Sequence, residues 1–235
     1  MSSDDFFSVQ QSPRITDELT CAIGDIHGCH VALMQLLAQV QHRAKTIVFL
    51  GDYIDRGPQS KEVIQTILDL RTVHPRVIPL MGNHEFMLLE YLRGRDPGIY
   101  LHAGGTYTLA SYCLDPFAAP ARAMAEIPRE HLAFFDSLPL FWEDPYAIYV
   151  HAGLQPHRHL SQQTAQWCLW AREEFLRSNY NFGKPVVFGH TVFDEPYCTD
   201  TKIGIDTGAV YGGRLTALLL PTMEVISVPG RQSSL

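Results

Sequence analysis

Thr20-Cys21-Ala22-Ile23-Gly24-Asp25-Ile26-His27-Gly28 is a short run of apolar and β-branched residues that stops at a glycine and then offers a carboxylate and an imidazole. Such a run, bounded by a glycine turn, reads as a buried strand. Just past it, Asp25 and His27 are alternate residues and can point to the same side of an extended chain. The same unit recurs along the sequence. Thr46 to Leu50 leads into Gly51-Asp52-Tyr53-Ile54-Asp55-Arg56-Gly57, and Val77 to Met81 into Gly82-Asn83-His84-Glu85. Ala147 to Val150 leads into His151-Ala152-Gly153, and Val186 to Phe188 into Gly189-His190-Thr191. Each predicted strand therefore ends in a group able to hold a hard or borderline metal ion.

Helical patterns separate the early strands. Leu33, Leu36, Leu37 and Val40 recur at helical spacing, and Val63, Ile64, Ile67 and Leu68 cover one helical face after the turn signal Gly57-Pro58. This alternation predicts a layered α/β domain with ligands outside the carboxyl ends of the strands. Further on, Thr201 to Ile205, Leu215 to Leu220 and Glu224 to Val228 follow one another across short turns, Pro221-Thr222 being one. Antiparallel pairing among these predicts a mixed sheet or a two-sheet sandwich. The proline-interrupted stretch 94–139, with helices near Tyr107 to Cys113 and Arg129 to Ser137, reads as an inserted helical cap with no recognisable chemistry of its own. The expected organisation is a loosely held tail over 1–19 and a single domain over 20–229.

Composition narrows the function classes. With 235 residues, of which 46% are hydrophobic, the chain can bury one sizeable core. A net charge of −7 excludes the basic stripe of a nucleic-acid platform. Five widely spaced cysteines, Cys21, Cys29, Cys113, Cys168 and Cys198, include no CxxC pair and argue against a disulfide framework, so a reducing compartment is expected. The apolar runs are too short to span a bilayer and the start lacks the features of a secretory leader, which makes a soluble, cytoplasmic protein the expectation.

The ordered segments GDIHG, GDYIDRG and GNHE, followed by isolated His151 and His190, resemble the phosphoprotein phosphatase family of metallophosphoesterases, in particular its compact bacterial and phage serine/threonine phosphatases. The resemblance covers about Cys21 to Gly213. It implies a calcineurin-like metallophosphoesterase fold, a β-sandwich of mixed sheets flanked by helices. It also implies that Asp25, His27 and Asp52 hold one divalent ion and that Asp52, Asn83, His151 and His190 hold a second, with Asp52 as the bridge. The oxygen and nitrogen set, without thiolate, suits manganese, iron or zinc; manganese is the expectation from the bacterial members. His84 is implied as the general acid, oriented by Asp55, while Arg56 binds phosphoryl oxygens. Leu169-Trp170-Ala171-Arg172-Glu173 resembles the place of a second phosphate-binding arginine, which makes Arg172 the candidate.

A water activated between two divalent ions would then attack phosphorus in line with the leaving oxygen. The expected substrates are phosphorylated proteins, at serine or threonine, or small phosphomonoesters; no regulatory partner can be inferred. The alternative is a symmetrical dinucleoside tetraphosphate hydrolase. That group's usual pattern has a glutamine where His27 stands and lacks a carboxylate at the Asp55 position, so these two residues side with the phosphatase.

Overall fold

A computed structural model describes residues 18–112 and 115–231. Most of the expected N-terminal tail, Cys113 and the last four residues lie outside the described residues. Eleven strands are described: β1 (Thr20–Ile23), β2 (Thr46–Phe49), β3 (Arg76–Pro79), β4 (Phe141–Glu143), β5 (Ile148–Val150), β6 (Val186–Phe188), β7 (Tyr197–Cys198), β8 (Lys202–Gly204), β9 (Asp206–Thr207), β10 (Arg214–Leu220) and β11 (Glu224–Pro229). The α-helices are α1 (His30–Val40), α2 (Ser60–Val73), α3 (Asn83–Leu92), α4 (Pro97–Tyr100), α5 (Thr106–Ser111), α6 (Pro120–Glu126), α7 (Arg129–Asp136), α8 (Ala165–Trp170) and α9 (Glu173–Arg177).

The strands form two mixed sheets, ordered β11-β10-β1-β2-β3, with β9 also on β10, and β4-β5-β6-β8-β7. In the first, β1, β2 and β3 run parallel, whereas β10 is antiparallel to both β1 and β11. In the second, β5, β6 and β8 are parallel, with antiparallel strands at both edges. Side-chain alternation along the strands decides the layering. Ala22 and Val48 face the opposite sheet and pack with Tyr149, Val187, Ile203 and Leu218. Their neighbours Cys21, Ile23, Ile47 and Phe49 turn the other way, onto Leu33, Leu37, Ile64 and Ile67 of α1 and α2. On the far face of the second sheet, Val150 and Phe188 pack on Cys168 and Phe175 of α8 and α9. The result is a sandwich of two sheets between two helical layers, the calcineurin-like arrangement.

Three findings differ from the sequence reading. The strand over Thr201 to Ile205 does not join Leu215 to Leu220. It becomes β8, parallel to β6 in the second sheet, and the chain crosses to the first sheet only at Ile205 and Asp206. Gly24 permits that crossing, because a side chain there would strike the Ile205 carbonyl. Strands β4, β7 and β9 have only two or three residues each, too few to show a period in sequence. Finally, the stretch 94–139 does not stand apart as a cap: Tyr100, Leu109, Phe134 and Phe135 belong to the same buried cluster as α1 to α3. Among the described residues, no helix is long and apolar enough to cross a membrane. The described cysteines Cys21, Cys29, Cys168 and Cys198 carry free thiols.

Candidate active site

Parallel pairing brings the carboxyl ends of β1, β2, β3, β5 and β6 to one rim of the sandwich. The loops that follow are stitched together there. Backbone N–H groups of Ile26 and His27 donate to the Asp52 carbonyl at 3.0 and 2.8 Å, and Gly189 N–H donates to the His151 carbonyl at 2.8 Å. His27, Asp52, Asp55, Arg56 and His190 all adopt left-handed backbone, with φ of 46°, 52°, 70°, 65° and 63°. Non-glycine residues rarely sit there without cost, and the clustering of five at one rim marks strain held for a purpose. Two glycines are fixed by the carboxylates beside them: a side chain at Gly82 would strike Asp52, and one at Gly189 would strike Asp25.

Asp52 is the centre of the cluster. Its Oδ2 lies 3.3 Å from His27 Nε2 and 3.9 Å from His84 Nε2, and its Oδ1 lies 3.4 Å from His151 Nε2. Asn83 Oδ1 sits 2.9 Å from His151 Nε2 and 3.0 Å from His190 Nδ1, while those two ring nitrogens are 3.2 Å apart. His27 Nδ1–H donates to the Ile54 carbonyl at 2.8 Å and His151 Nδ1–H to the Leu50 carbonyl at 2.9 Å. Each imidazole therefore turns an Nε2 lone pair inward, the arrangement that orients metal-binding histidines.

Lone pairs of His151, Asn83 and Asp52 thus converge with no proton between them, and a cation between these atoms would relieve the repulsion. Two ligand sets with atoms within 4.8 Å of one another occur among the described residues, His27–Asp52–His84 and Asp52–His151–His190, and they share Asp52. Charge points the same way. Burial, then Asp206 and Asp52, push the Asp25 carboxyl well above the usual range, and burial also raises Asp206. Burial opposes ionisation of Asp52 as well, but the charge of neighbouring imidazoles, His84 among them, holds its carboxyl well below the carboxylate range. Burial keeps His151 neutral and drives His190 down to about 3, so both are free bases suited to ligation.

The rim thus brings together all the residues singled out in the sequence, with one difference in detail. Asp25 lies at the edge of the two sets: its two oxygens accept the His190 N–H at 3.2 and 3.0 Å, while the third group within reach of His27 and Asp52 is His84, whose Nε2 is 3.9 Å from Asp52 Oδ2. His84 Nδ1 lies 2.7 Å from Asp55 Oδ2, both groups buried. Arg56 Nη1 donates to His27 Nε2 at 2.5 Å. Arg56 and Arg172 line one cavity of about 460 Å³ together with Asn83, His84, Trp170 and Tyr211. Glu173, next to Arg172, pairs with Arg177 at 3.1 Å.

Two acidic residues near the site carried no role in the sequence reading. Glu85 is fully buried and accepts backbone N–H groups of Gly82, Asp52, Tyr53 and Ile54 at 3.1, 2.9, 2.8 and 3.3 Å. A glutamate at the third position of a helix that reaches back to the preceding residue is a capping signal, and it could have been read from GNHE. Asp206 is buried near Asp25 and accepts the Gly208 N–H at 3.0 Å. Nothing local marks it, because it reaches the rim only through the crossing between the sheets.

A profile of the family described as calcineurin-like phosphoesterases matches residues 20–194. The chain belongs to this family. Calcineurin-like phosphoesterases are hydrolases with a dimetal centre, which agrees with the two ligand sets sharing Asp52. The chain is 28% identical over 234 residues to a bis(5'-nucleosyl)-tetraphosphatase PrpE [asymmetrical] of Anoxybacillus flavithermus, with 88% of this chain and 92% of that protein covered. A Bacillus anthracis protein of the same name is 29% identical over the same shares. Among solved structures, a putative diadenosine tetraphosphatase matches with a TM-score of 0.71 and 26% identity, covering 93% of this chain and 96% of the other. A protein serine/threonine phosphatase from Saccharomyces cerevisiae matches with a TM-score of 0.63 at 17% identity, covering 93% and 81%, and shares the calcineurin-like fold.

Proposed function

We propose that this calcineurin-like phosphoesterase hydrolyses phosphomonoesters with an alkoxide leaving group, phosphoserine and phosphothreonine being the substrate class. The observation that carries this reading is the buried His84–Asp55 pair at 2.7 Å, with His84 at the wall of the cavity. Asp55 accepts the Nδ1 proton, so that in the protonated imidazolium Nε2–H is the group offered to substrate. Burial works against a charged His84, yet Asp52 and Asp55 together raise it above its usual value. A proton donor so equipped matters most where the leaving oxygen is a poor leaving group, as an alkoxide is. Arg56 and Arg172 would hold the phosphoryl oxygens, a task suited to planar guanidinium forks. His27, Asp52, His151, Asn83 and His190, with Asp25 at the edge, would hold two divalent ions. Manganese is the proposed metal, and such ions supply Lewis acidity and a more acidic water.

A second reading, asymmetrical cleavage of dinucleoside tetraphosphates, is favoured by the names of the relatives that span nearly the whole chain. Trp170 and Tyr211 at the cavity wall also offer faces on which a base could stack. The sequence reading weighed symmetrical cleavage; the relatives carry the asymmetrical name, and that form replaces it.

One experiment separates these. The manganese-loaded protein is given a phosphoserine peptide and diadenosine tetraphosphate in parallel, and the products are resolved. Phosphate release from the peptide as the faster reaction is the expected result. Faster formation of ATP with AMP would establish the second reading, and two ADP would restore the symmetrical one. Replacing His84 by Asn should slow the peptide by on the order of 10²–10⁴ while slowing nitrophenyl phosphate, whose leaving group needs little help, distinctly less.

A further inference from the structure

Asp55 has a second carboxylate oxygen, and the groups that hold it come from a part of the chain with no part in the proposed chemistry. The Tyr100 hydroxyl donates to Asp55 Oδ1 at 3.1 Å and the Thr108 hydroxyl donates to the same atom at 2.6 Å. The Asp55 N–H in turn donates to Thr108 Oγ1 at 2.9 Å and to Ser60 Oγ at 3.2 Å. Thr108 therefore grips Asp55 at both its backbone and its side chain. All of these groups are buried.

Each hydroxyl has one proton to give. With those of Tyr100 and Thr108 spent on Oδ1, the Ser60 hydroxyl, 3.1 Å from Thr108 Oγ1, is left to donate to Thr108, and Oδ2 remains for the Nδ1–H of His84. Asp55 thus cannot turn its carboxylate without breaking two buried hydrogen bonds, each of which leaves an unsatisfied partner.

The segment that carries the two hydroxyls is shaped to reach this carboxylate. Tyr100 ends α4, Thr108 lies in α5, and a kinked turn over Leu101–Gly105 joins them. Gly104 within that turn has φ 112°, and its carbonyl accepts the Arg56 N–H at 3.3 Å. Gly105 leaves room for the Tyr100 ring, which any side chain there would strike.

We infer that Tyr100 and Thr108 are positioning residues for the reaction, fixing the His84 tautomer and ring orientation through Asp55. The inference rests on the reading of His84 as proton donor. In that step Nε2–H gives its proton to the leaving oxygen as the P–O bond breaks, and Nδ1–H stays on Asp55. A locked Asp55 keeps Nε2 aimed at the cavity throughout.

Thr108→Val and Tyr100→Phe remove the hydroxyls with little change of shape, and Thr108→Ser restores one. Turnover of an alkyl phosphate such as a phosphoserine peptide should fall by about 10–100-fold in Thr108→Val, the usual effect of removing an outer partner, and somewhat less in Tyr100→Phe. Turnover of nitrophenyl phosphate should fall by less than about threefold, and Thr108→Ser should recover most of the loss. His84→Asn is measured alongside at saturating manganese, with bound metal counted. If His84→Asn shows the leaving-group asymmetry while both hydroxyl variants lose the two substrates equally, or lose neither, the positioning role is wrong. If His84→Asn itself shows no asymmetry, the proton-donor reading fails first. Should Thr108→Val not fold, Tyr100→Phe decides by the same ratio.

Discussion

Glu85 allows a perturbation whose size can be worked from distances. In Glu85→Gln one carboxylate oxygen becomes an NH₂ group of nearly the same volume, so packing is kept and only hydrogen bonding changes. The two oxygens share four backbone donors, Asp52 and Gly82 on Oε2 at 2.9 and 3.1 Å, Tyr53 and Ile54 on Oε1 at 2.8 and 3.3 Å. Whichever oxygen is replaced, two buried N–H groups then face an NH₂ that cannot accept from them. A buried donor left unsatisfied costs about 1–3 kcal/mol, so the pair costs roughly 2–6 kcal/mol. For a domain of this size about 1 kcal/mol corresponds to roughly 2–4 °C, and a fall in melting temperature of about 4–24 °C is expected. The loss should extend to function, because the Asp52 N–H is what anchors that residue at its left-handed φ of 52°. Manganese affinity should weaken by about 10–100-fold, the usual range for removing a supporting partner. Calorimetry and manganese titration of Glu85→Gln would be set against Glu90→Gln, a change at a half-exposed pair with Arg93 and Arg95 that should move the melting point little. A Glu85→Gln protein that melts within about 2 °C of the parent, below the lower bound above, and binds manganese equally well would refute the reasoning.

Asp52→Asn removes one charge and one oxygen from the atom pair that both ligand sets share, so it should lower occupancy at both positions and nearly abolish turnover; normal binding of two ions by this variant, measured by elemental analysis, would overturn the assignment of Asp52 as the bridge. The metal-free protein should lose stability as pH rises. Burial and neighbouring anions raise Asp25, Asp206 and Glu85, the last to about 8, so the folded chain keeps protons that the unfolded chain has already released. That makes unfolding easier from the ordinary carboxylate range up through about pH 8. Asp52, shifted down, has the opposite effect only below that range, while His131, His151 and His190, also shifted down by burial, oppose it until the unfolded imidazoles lose their protons near about pH 6.5. Above that point the carboxyls act alone, so the melting temperature of chelated protein should be lower near pH 8 than near pH 6.5, and saturating manganese should flatten the slope; a metal-free melting temperature that rises across this interval would contradict the sign.

The site was legible in sequence because each ligand follows its strand within a few residues, so that placing the strand places the ligand. Asp52 and Asp55 need only the end of β2 to be located, and His151 only the end of β5. The fold was legible for the same reason through β1, β2 and β3, where strand and helix alternate. It failed at β8, because which sheet a strand joins is decided by a crossing that no short-range pattern reports. Tyr100 and Thr108 were invisible for a related reason. They lie 45 and 53 residues from Asp55 in sequence and are ordinary residue types in a helical stretch. Only the packed structure shows that their hydroxyls meet one carboxylate oxygen. Asp25 was found by its motif, but its contact with the His190 N–H depends on loops separated by 165 residues.

The arrangement around Asp52 also argues for the number of ions. A single cation could relieve the lone pairs on one side only. Asp52 Oδ2 faces His27 at 3.3 Å, and Oδ1 faces His151 at 3.4 Å, so the two imidazoles address different oxygens of one carboxylate. If one ion sat between Oδ2 and His27, then His151 Nε2, Asn83 Oδ1 and Asp52 Oδ1 would still confront one another, with only the His84 backbone N–H on Oδ1. Buried acceptors in such opposition are costly. If it sat on the other side, His27 Nε2 and Oδ2 would rely on the Arg56 N–H that His27 accepts. The half around His151 thus calls for a cation, and the second oxygen of Asp52 can serve another beside His27. The strained backbone at His27, Asp52 and His190 is consistent with a site shaped around two charges, since each of these residues holds its ligand atom in place from a conformation it would not otherwise adopt.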